Sequence, residues 1–262
     1  MTPKPIALIT GASSGIGAVY ADRLARRGHG LVLVARDIAK LEQIAGRLRR
    51  ETGVSVDVLQ ADLTDERDLL RVESRLRDDA DIGVLVNNAG ALVAGNFLDQ
   101  SGSDIAGLIA LNVTGLTRLA NAIAPRLAAA GEGAIINIGS IVGLAPEIGL
   151  TVYGATKAFV LFLSQGLNLE LGPKGVYVQA VLPSVTRTEI WERSGRDVDA
   201  MPAAMETGEL VDAALIGFDR RESVTIPPLP DAGQWTALET ARQAMLPNFM
   251  QTHAAERYRE AA

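Results

Sequence analysis

The sequence has no cysteine and only two histidines, and several kinds of chemistry are excluded for that reason. Without thiols the chain forms no disulfide, has no thiolate nucleophile and cannot bind a metal through sulfur. His29 and His253 lie far apart in the sequence. We therefore expect neither a histidine-based catalytic triad nor a histidine-rich zinc site, and we predict no bound metal.

Long runs of one charge and long apolar runs are also missing. The chain has 25 basic and 31 acidic residues, a formal net charge of −6, and no block of five or more like charges. We therefore expect neither nucleic acid nor an anionic membrane as a partner. No apolar run approaches the roughly 18 residues of a membrane span, and the N-terminus does not resemble a signal peptide. The expected location is the cytoplasm.

The 262 residues do contain a regular alternation of short apolar runs and helical patterns. Apolar runs predict buried strands at 5–9, 31–35, 54–60, 82–86, 134–138, 175–181 and 223–227. This alternation predicts an α/β fold with a doubly wound (Rossmann) seven-stranded parallel sheet and helices on both faces. Residues 1–228 would form this domain, and residues 229–262 a C-terminal helical extension packed on it.

A glycine-rich turn follows the first predicted strand directly. Its sequence is TGASSGIG, with Gly11, Gly15 and Gly17, and a helical pattern comes next. Glycines allow a backbone to approach a pyrophosphate closely, and the helix N-terminus offers free N–H groups to it. Tight packing without a ligand is the alternative for any such turn, but the order strand, turn, helix favours a dinucleotide cofactor.

The end of the second strand indicates which dinucleotide is bound. An NAD site usually has Asp or Glu there to hold the ribose 2′-hydroxyl, but this chain has Ala35 followed by Arg36. A guanidinium suits the 2′-phosphate of NADP(H) instead. Asp37 is better explained as the N-cap of the next helix, and Thr64 is the predicted cap of a helix over 65–77.

The stretch from 134 to 163 carries the residues that suggest catalysis. Tyr153 and Lys157 are four residues apart on a predicted helix, so they lie on one face. The lysine charge favours a phenolate, so we expect the pKa of Tyr153 to fall toward neutrality, where it can exchange a proton with an alcohol oxygen. Ser140 follows the preceding strand and could hold the same oxygen. Alone, such a Tyr–Lys pair is more often incidental.

Asparagines mark two further points. Asn87 and Asn88 begin an Asn-Asn-Ala-Gly segment at the end of the fourth strand, where they can fix a turn. Asn112 lies inside an apolar helical stretch, where an unbonded amide is costly. It either kinks that helix or holds a water molecule.

These motifs, in this order and spacing, resemble the compact form of the short-chain dehydrogenase/reductases over residues 4–228. The resemblance implies reversible hydride transfer between NADP(H) and a carbonyl or secondary alcohol. Tyr153 would be the general acid/base, Lys157 would lower its pKa and hold the nicotinamide ribose, Ser140 would orient the substrate oxygen and Asn112 would position a water. The alternatives are a non-catalytic NADP(H)-binding regulator and a sugar-nucleotide epimerase or dehydratase.

The resemblance also implies a set of cofactor-binding residues. They are Gly11, Ser13, Ser14, Gly15, Ile16, Gly17, Arg36, Asp62, Leu63, Asn88, Ala89, Gly90, Tyr153, Lys157, Pro183, Ser184, Thr186 and Thr188. NADP-preferring members often have a second basic residue in the glycine turn, where this chain has Ser14, so the preference depends on Arg36 alone. Ser184 and Thr186 replace a glycine and an aliphatic residue that are usual beside the nicotinamide.

The substrate and the assembly are predicted in outline only. The segments expected to cover the nicotinamide are mainly apolar and include Val142, Leu144 and Trp191, which favours an uncharged, hydrophobic carbonyl or alcohol. Arg187 could instead anchor a charged substrate if it turned inward. The family resemblance implies a homodimer or homotetramer through the helices that carry Asn112 and Tyr153.

Overall fold

The computed structural model describes residues 4–195, 197–201 and 203–259, without the side chain of Arg193. Seven parallel strands form one sheet in the order β3-β2-β1-β4-β5-β6-β7. The strands are β1 (Lys4–Thr10), β2 (His29–Ala35), β3 (Val56–Gln60), β4 (Ile82–Asn87), β5 (Ala134–Ile138), β6 (Tyr177–Val181) and β7 (Val224–Thr225). The predicted seven-stranded parallel sheet is therefore confirmed.

Helices connect the strands and cover both faces of the sheet. They are α1 (Gly15–Arg26), α2 (Ile38–Thr52), α3 (Glu66–Asp78), α4 (Gly102–Ile109), α5 (Leu116–Ala130), α6 (Thr151–Leu171), α7 (Glu189–Arg193) and α8 (Thr207–Asp219). Side chains alternate along each strand, so Ala7 and Ile9 join one core with α1, α2 and α8, while Leu8 joins another with α3 and α5.

The strand order reverses between β1 and β4, and this reversal places the site. Chain segments leave β1 and β4 toward opposite faces of the sheet, which opens a crevice at the carboxyl edge where ligands bind in such folds. Thr10, Asn87 and Ile138 end three adjacent strands at this edge. The glycine turn, the Asn-Asn-Ala-Gly segment and Ser140 all follow directly from those strand ends.

The helix start after β3 differs from the prediction. Asp65, not Thr64, is the N-cap of α3, because its carboxylate accepts hydrogen bonds from the N–H groups of Arg67 and Asp68 at 3.0 Å each. The Thr64 hydroxyl donates instead to Asp62 Oδ1 at 2.7 Å. The prediction placed the start one residue too early because both residue types cap helices well.

The helical stretch Gly102–Ala130 contains a widened turn. Between α4 and α5 the backbone forms a π-helical segment, Ala110–Gly115, with Asn112 at its centre. Among the described residues, this stretch alone is long and apolar enough to cross a membrane by length and composition. Charged residues interrupt it, so counting continuous apolar residues did not find it. Core helices pass the same test, and α5 packs Leu119, Ile123 and Leu127 into the core.

The chain divides into two compact units between Pro227 and Pro228, one residue from the predicted boundary. In the second unit, α9 spans Ala232–Ala244, and a short 3-10 turn spans Glu256–Tyr258. Within α9 no residue is buried. The extension was expected to be helical, but the described part of its last ten residues holds only that turn. Residues 260–262 lie outside the described part.

Candidate active site

A cavity of about 530 Å³ lies among the segments that leave the carboxyl ends of the strands. This volume is within the range of small-molecule sites. The structure brings twenty of the predicted site residues to its wall. They are Gly11, Ser13, Ser14, Gly15, Ile16, Arg36, Asp62, Leu63, Asn88, Ala89, Gly90, Ser140, Val142, Tyr153, Lys157, Pro183, Ser184, Thr186, Thr188 and Trp191.

The glycine turn is shaped by two residues in the left-handed region. Gly11 has φ 64° and Gly15 has φ 53°, conformations that a residue with a Cβ adopts only with strain. A Cβ on Gly11 would also lie 2.8 Å from Asn88 Nδ2. That amide donates to Thr10 O at 2.8 Å and so fixes the turn to the segment after β4. The turn is therefore pre-formed for a group that approaches its backbone.

Gly17 has a packing role and does not line the cavity. A Cβ at this position would clash with the Gly11 carbonyl oxygen and would lie 2.5 Å from Asn88 Nδ2. A side chain there would push α1 away from the turn. Gly17 thus holds the N-terminus of α1 close to the cavity wall without being part of it.

Ser140, Tyr153 and Lys157 converge on one part of the cavity. Lys157 is 5 % exposed, and its ammonium donates to Ile138 O at 2.9 Å and lies 5.6 Å from the centre of the Tyr153 ring. Ser140 extends from the end of β5; its hydroxyl accepts from Val142 N at 3.3 Å. The four-residue spacing on α6 therefore does place Tyr153 and Lys157 on the same face.

The pKa of Tyr153 does not fall toward neutrality, and that prediction was wrong. Burial raises the pKa of Tyr153 to about 12, although a hydrogen bond with Ser140 acts to lower it. Burial also lowers the pKa of Lys157 to about 8. The sequence indicated the neighbouring charge but not the loss of solvent around both groups, and in this structure desolvation is the larger effect.

Asn112 lies behind the cavity wall and is fully bonded. It is 1 % exposed. Its Oδ1 accepts from Ala91 N at 2.9 Å, and its Nδ2 donates to Ala91 O at 3.0 Å and to Thr156 Oγ1 at 3.1 Å. The predicted alternatives were a kink or a held water. The structure has a π-helical turn at this position and an amide that binds protein groups.

Arg36 and Asp62 face each other at the other end of the cavity. The Arg36 side chain is 71 % exposed, and its Nη1 lies 3.9 Å from Asp62 Oδ2. Burial acts to raise the pKa of Asp62, but hydrogen bonds from Thr64 and the charge of Arg36 lower it overall. An exposed ion pair at this distance is weak. The guanidinium therefore has donors available for an anion in the cavity.

The wall of the cavity differs from the prediction at several points. Leu144, 36 % exposed, is not part of it, and neither is Asn112. Leu150, Val185 and Met201 do line it and were not named as site residues. Leu150 and Val185 belong to segments that were expected to cover the nicotinamide, whereas Met201 lies outside them. No local pattern identifies these three residues, because they reach the cavity only through the fold of the 141–150 and 183–201 segments.

The chain is similar to known proteins over most of its length. The family model described as short chain dehydrogenase matches residues 5–199. A very-long-chain 3-oxoacyl-CoA reductase of Anas platyrhynchos is 35 % identical over 231 residues, which is 86 % of this chain and 72 % of the relative. The chain spans 58–60 % of the length of several further curated relatives.

Two solved structures are more similar still. A short-chain dehydrogenase from Sphingobium yanoikuyae in complex with NADPH is 64 % identical, with a TM-score of 0.96 over 97 % of this chain and 100 % of that chain. A bulky-bulky ketone specific alcohol dehydrogenase from Comamonas testosteroni is 59 % identical, with a TM-score of 0.93 over 99 % of this chain and 100 % of that chain.

An open parallel sheet with a glycine-rich turn at its switch point is the architecture of dinucleotide-binding proteins. Within that class, this chain belongs to the short-chain dehydrogenase family and is an oxidoreductase.

Proposed function

We propose that the protein is an NADP(H)-dependent oxidoreductase that interconverts bulky, uncharged ketones and secondary alcohols. The observation that carries this proposal is the convergence of Ser140, Tyr153 and Lys157 on a cavity that also holds the glycine turn and Arg36. NADP(H) chemistry requires a phosphate cradle and a proton donor in one crevice, and this cavity has both.

The residues at the wall fit NADP(H). The left-handed glycines Gly11 and Gly15 leave room that a Cβ would fill, so the pyrophosphate can lie against the backbone of the turn. Arg36 has guanidinium donors available for a 2′-phosphate. Asp62 and Leu63 would flank the adenine. The rest of the cofactor would contact Asn88, Ala89, Gly90, Pro183, Ser184, Thr186 and Thr188. When bound, NADPH supplies a hydride to the carbonyl carbon of the substrate.

The protein side chains supply and hold the proton. A tyrosine with a pKa of about 12 is protonated at neutral pH, so Tyr153 can donate its proton to the carbonyl oxygen during reduction. The Ser140 hydroxyl would hold that oxygen. A Lys157 ammonium with a pKa of about 8 still carries its charge at pH 7. This charge stabilises the tyrosinate that forms when the proton is given up.

The walls around the reacting centre support an uncharged substrate. Val142, Ile190 and Trp191 line the cavity with apolar surface. Arg187, the alternative anchor for a charged substrate, forms ion pairs with Asp199 and, at 2.9 Å, with Glu206, and it is not part of the wall. The ketone specificity of the Comamonas relative further supports a substrate with two large substituents.

A substrate panel tests this proposal. Absorbance of NADPH at 340 nm would be followed with ketones carrying two aryl or branched groups, with methyl ketones and with carboxylate analogues of the same ketones. We expect the highest kcat/KM for the bulky neutral ketones. A preference for the carboxylates that disappears in Arg187→Ala would contradict the proposal and make Arg187 a substrate anchor.

The same experiment distinguishes the alternative function. A non-catalytic regulator would bind NADPH, seen as a change in protein fluorescence or by calorimetry, without oxidising it in the presence of any ketone. An oxidoreductase does both. The presence of Tyr153, Lys157 and Ser140 at one cavity favours the enzyme, since a sensor needs none of the three.

We also propose that the protein is a homodimer in the cytoplasm, with a tetramer as the larger alternative. The proposed interface is formed by the helical stretch Gly102–Ala130 and α6, on which Ile109, Phe159 and Phe162 are exposed apolar side chains. The 229–262 extension is proposed to pack on the domain that it follows and to affect which assembly forms. Light scattering and cell fractionation test the assembly and the location.

A further inference from the structure

The Thr156 hydroxyl connects two parts of the site that are distant in sequence. Thr156 is on α6, between Tyr153 and Lys157, and is 4 % exposed. Its Oγ1 donates to Tyr153 O at 2.7 Å and accepts from Asn112 Nδ2 at 3.1 Å. One hydroxyl therefore bonds both the backbone of the tyrosine and the π-helical segment. A threonine hydroxyl has one hydrogen to donate and lone pairs to accept with, so both bonds form at once.

The other side of this connection leads to the cofactor loop. Asn112 holds both backbone groups of Ala91, with bonds of 2.9 and 3.0 Å, and Ala91 directly follows the Asn88–Gly90 wall. A Cβ added to Gly90 would lie 3.3 Å from Asn112 Oδ1 and 3.6 Å from Lys157 Nζ. The loop after β4, the π-helical turn and α6 thus meet at one point, with Thr156 as the contact to α6.

We propose that Thr156 is a positioning residue, which sets the placement of the Tyr153 hydroxyl relative to the cofactor loop through Asn112. The inference rests on the proposed function. Asn112 has two amide hydrogens, and Thr156 accepts the one that Ala91 does not. Without the Thr156 hydroxyl, the buried Asn112 amide loses one hydrogen-bond acceptor. The first turns of α6 are then no longer linked through Asn112 to the loop that faces the cofactor. Proton transfer and hydride transfer then no longer occur in one fixed geometry.

Three variants separate positioning from general stability. Thr156→Val removes the hydroxyl and keeps the branched shape, while Thr156→Ser keeps the hydroxyl. Thr117→Val is the matched control, because the Thr117 hydroxyl also donates to a helix carbonyl, Val113 O at 2.7 Å, beside the same π-helical segment. Thr156→Val and Thr117→Val each remove a hydrogen bond from a threonine hydroxyl to a carbonyl of the same helical stretch. An effect that comes from losing this bond alone should therefore be seen in both variants. Thr156→Ala replaces Thr156→Val if the latter does not fold.

The measurements are kcat, KM for NADPH, the deuterium isotope effect with NADPH labelled at the transferred position, and amide hydrogen exchange. We expect kcat of Thr156→Val to fall about tenfold, with Thr156→Ser and Thr117→Val within about twofold of the unmutated protein, because small displacements of reacting groups are costly. KM for NADPH should change little. The isotope effect on kcat should rise in Thr156→Val only, since the chemical step becomes slower relative to product release.

Amide exchange at residues 151–157 should accelerate in Thr156→Val and not in Thr117→Val. The proposal is overturned if Thr156→Ser loses as much activity as Thr156→Val, or if Thr156→Val behaves like Thr117→Val in both kcat and exchange. If the unmutated protein oxidises no NADPH with any ketone, the proposed function fails. Amide exchange then still decides whether Thr156 orders the Tyr153 turn.

Discussion

At the scale of single residues, each end of the cavity depends on one charge. Arg36 is the predicted partner of the 2′-phosphate, and its only ion pair among the described residues spans 3.9 Å. A charge-assisted hydrogen bond of this kind stabilises a complex by about 1.5–3 kcal/mol, so NADPH should bind about tenfold to a hundredfold more tightly than NADH.

Arg36→Asp should abolish or reverse this preference, because a carboxylate repels the 2′-phosphate and accepts from the 2′-hydroxyl of NADH. Calorimetry with NADPH and with NADH measures the two affinities and so the preference. Arg50→Asp, an exposed position on α2, is the control for the change in net charge. Equal affinity of the unmutated protein for the two cofactors would contradict the assignment.

Tyr153 is expected to supply the proton and little of the cofactor affinity. Tyr153→Phe removes one hydroxyl and keeps the ring, so the fold and NADPH binding should remain nearly unchanged. Turnover should fall by about 100-fold or more, the range that general acid catalysis supplies. Tyr258→Phe, at a tyrosine that is 72 % exposed in the second unit, should have no effect. Near-normal rates in Tyr153→Phe on a confirmed substrate would exclude the mechanism.

Burial of Lys157 makes stability depend on pH. Its pKa falls from the ordinary 10.5 to about 8 in the folded protein, so between these two values the unfolded chain binds the proton and the folded chain does not. Stability then rises with pH across this interval, and below pH 8 the folded protein bears the full cost of the buried charge. Lys157→Met removes the titrating group and keeps the length of the side chain.

Urea unfolding of both proteins at pH 7.5 and 9.5 measures this dependence. Relative to Lys157→Met, the unmutated protein should gain about 2 kcal/mol in free energy of unfolding at the higher pH. Taking the difference cancels the titration of groups that the two proteins share. An unchanged difference would mean that Lys157 keeps an ordinary pKa in the folded protein, and an opposite difference would mean that its pKa is raised.

At the scale of elements, the start of α3 distinguishes two adjacent capping candidates. Asp65 accepts two backbone hydrogen bonds at the helix start, whereas the Thr64 hydroxyl bonds Asp62. Asp65→Ala should therefore lower the free energy of unfolding by about 1 kcal/mol, and Thr64→Ala by less. Urea denaturation of the two variants measures the difference. If Thr64→Ala lowered the free energy of unfolding more than Asp65→Ala does, Thr64 would be the N-cap, as the sequence predicted.

Elements with one strong local signal were predictable from sequence. β5 was predicted with its observed limits, because Ala134–Ile138 is apolar except for Asn137 and is buried at all five positions. The π-helical turn around Asn112 was not predicted, because the Asn112 amide forms its hydrogen bonds with the backbone of Ala91, 21 positions away in the sequence. Short α7 was not predicted either, because five residues are too few to show a helical period.

The residues of the candidate site were likewise predictable where the signal is local in the sequence. Residues in ungapped motifs, such as the glycine turn and Tyr153 with Lys157, were predicted, because spacing on one element determines which side chains lie together. Residues that reach the cavity through loop conformation, such as Met201, were missed. The pKa of Tyr153 was predicted in the wrong direction because burial depends on the whole fold, whereas the neighbouring charge is visible in the sequence.

At the scale of the whole molecule, α6 presents apolar side chains to solvent opposite its buried face. Phe162 is 77 % exposed and Phe159 39 %, while Val160 and Leu161 are buried. A helix that is apolar on both sides is typical of one that is covered on both. In the proposed homodimer, this second side is covered by the same helix of another copy. A substitution in this interface is therefore present once in each subunit.

Phe162→Glu therefore places two carboxylates in the proposed interface. Each loses solvation without a partner, and an uncompensated buried charge costs about 3–5 kcal/mol, so the dimer dissociation constant should rise by more than about 100-fold. Light scattering at micromolar concentration should give twice the chain mass of 27.6 kDa for the unmutated protein and the chain mass for Phe162→Glu. Leu98→Glu, at a position that is 92 % exposed between β4 and α4, is the control and should stay dimeric. A monomeric unmutated protein, or a dimer that Phe162→Glu leaves intact, would show that α6 is not the interface.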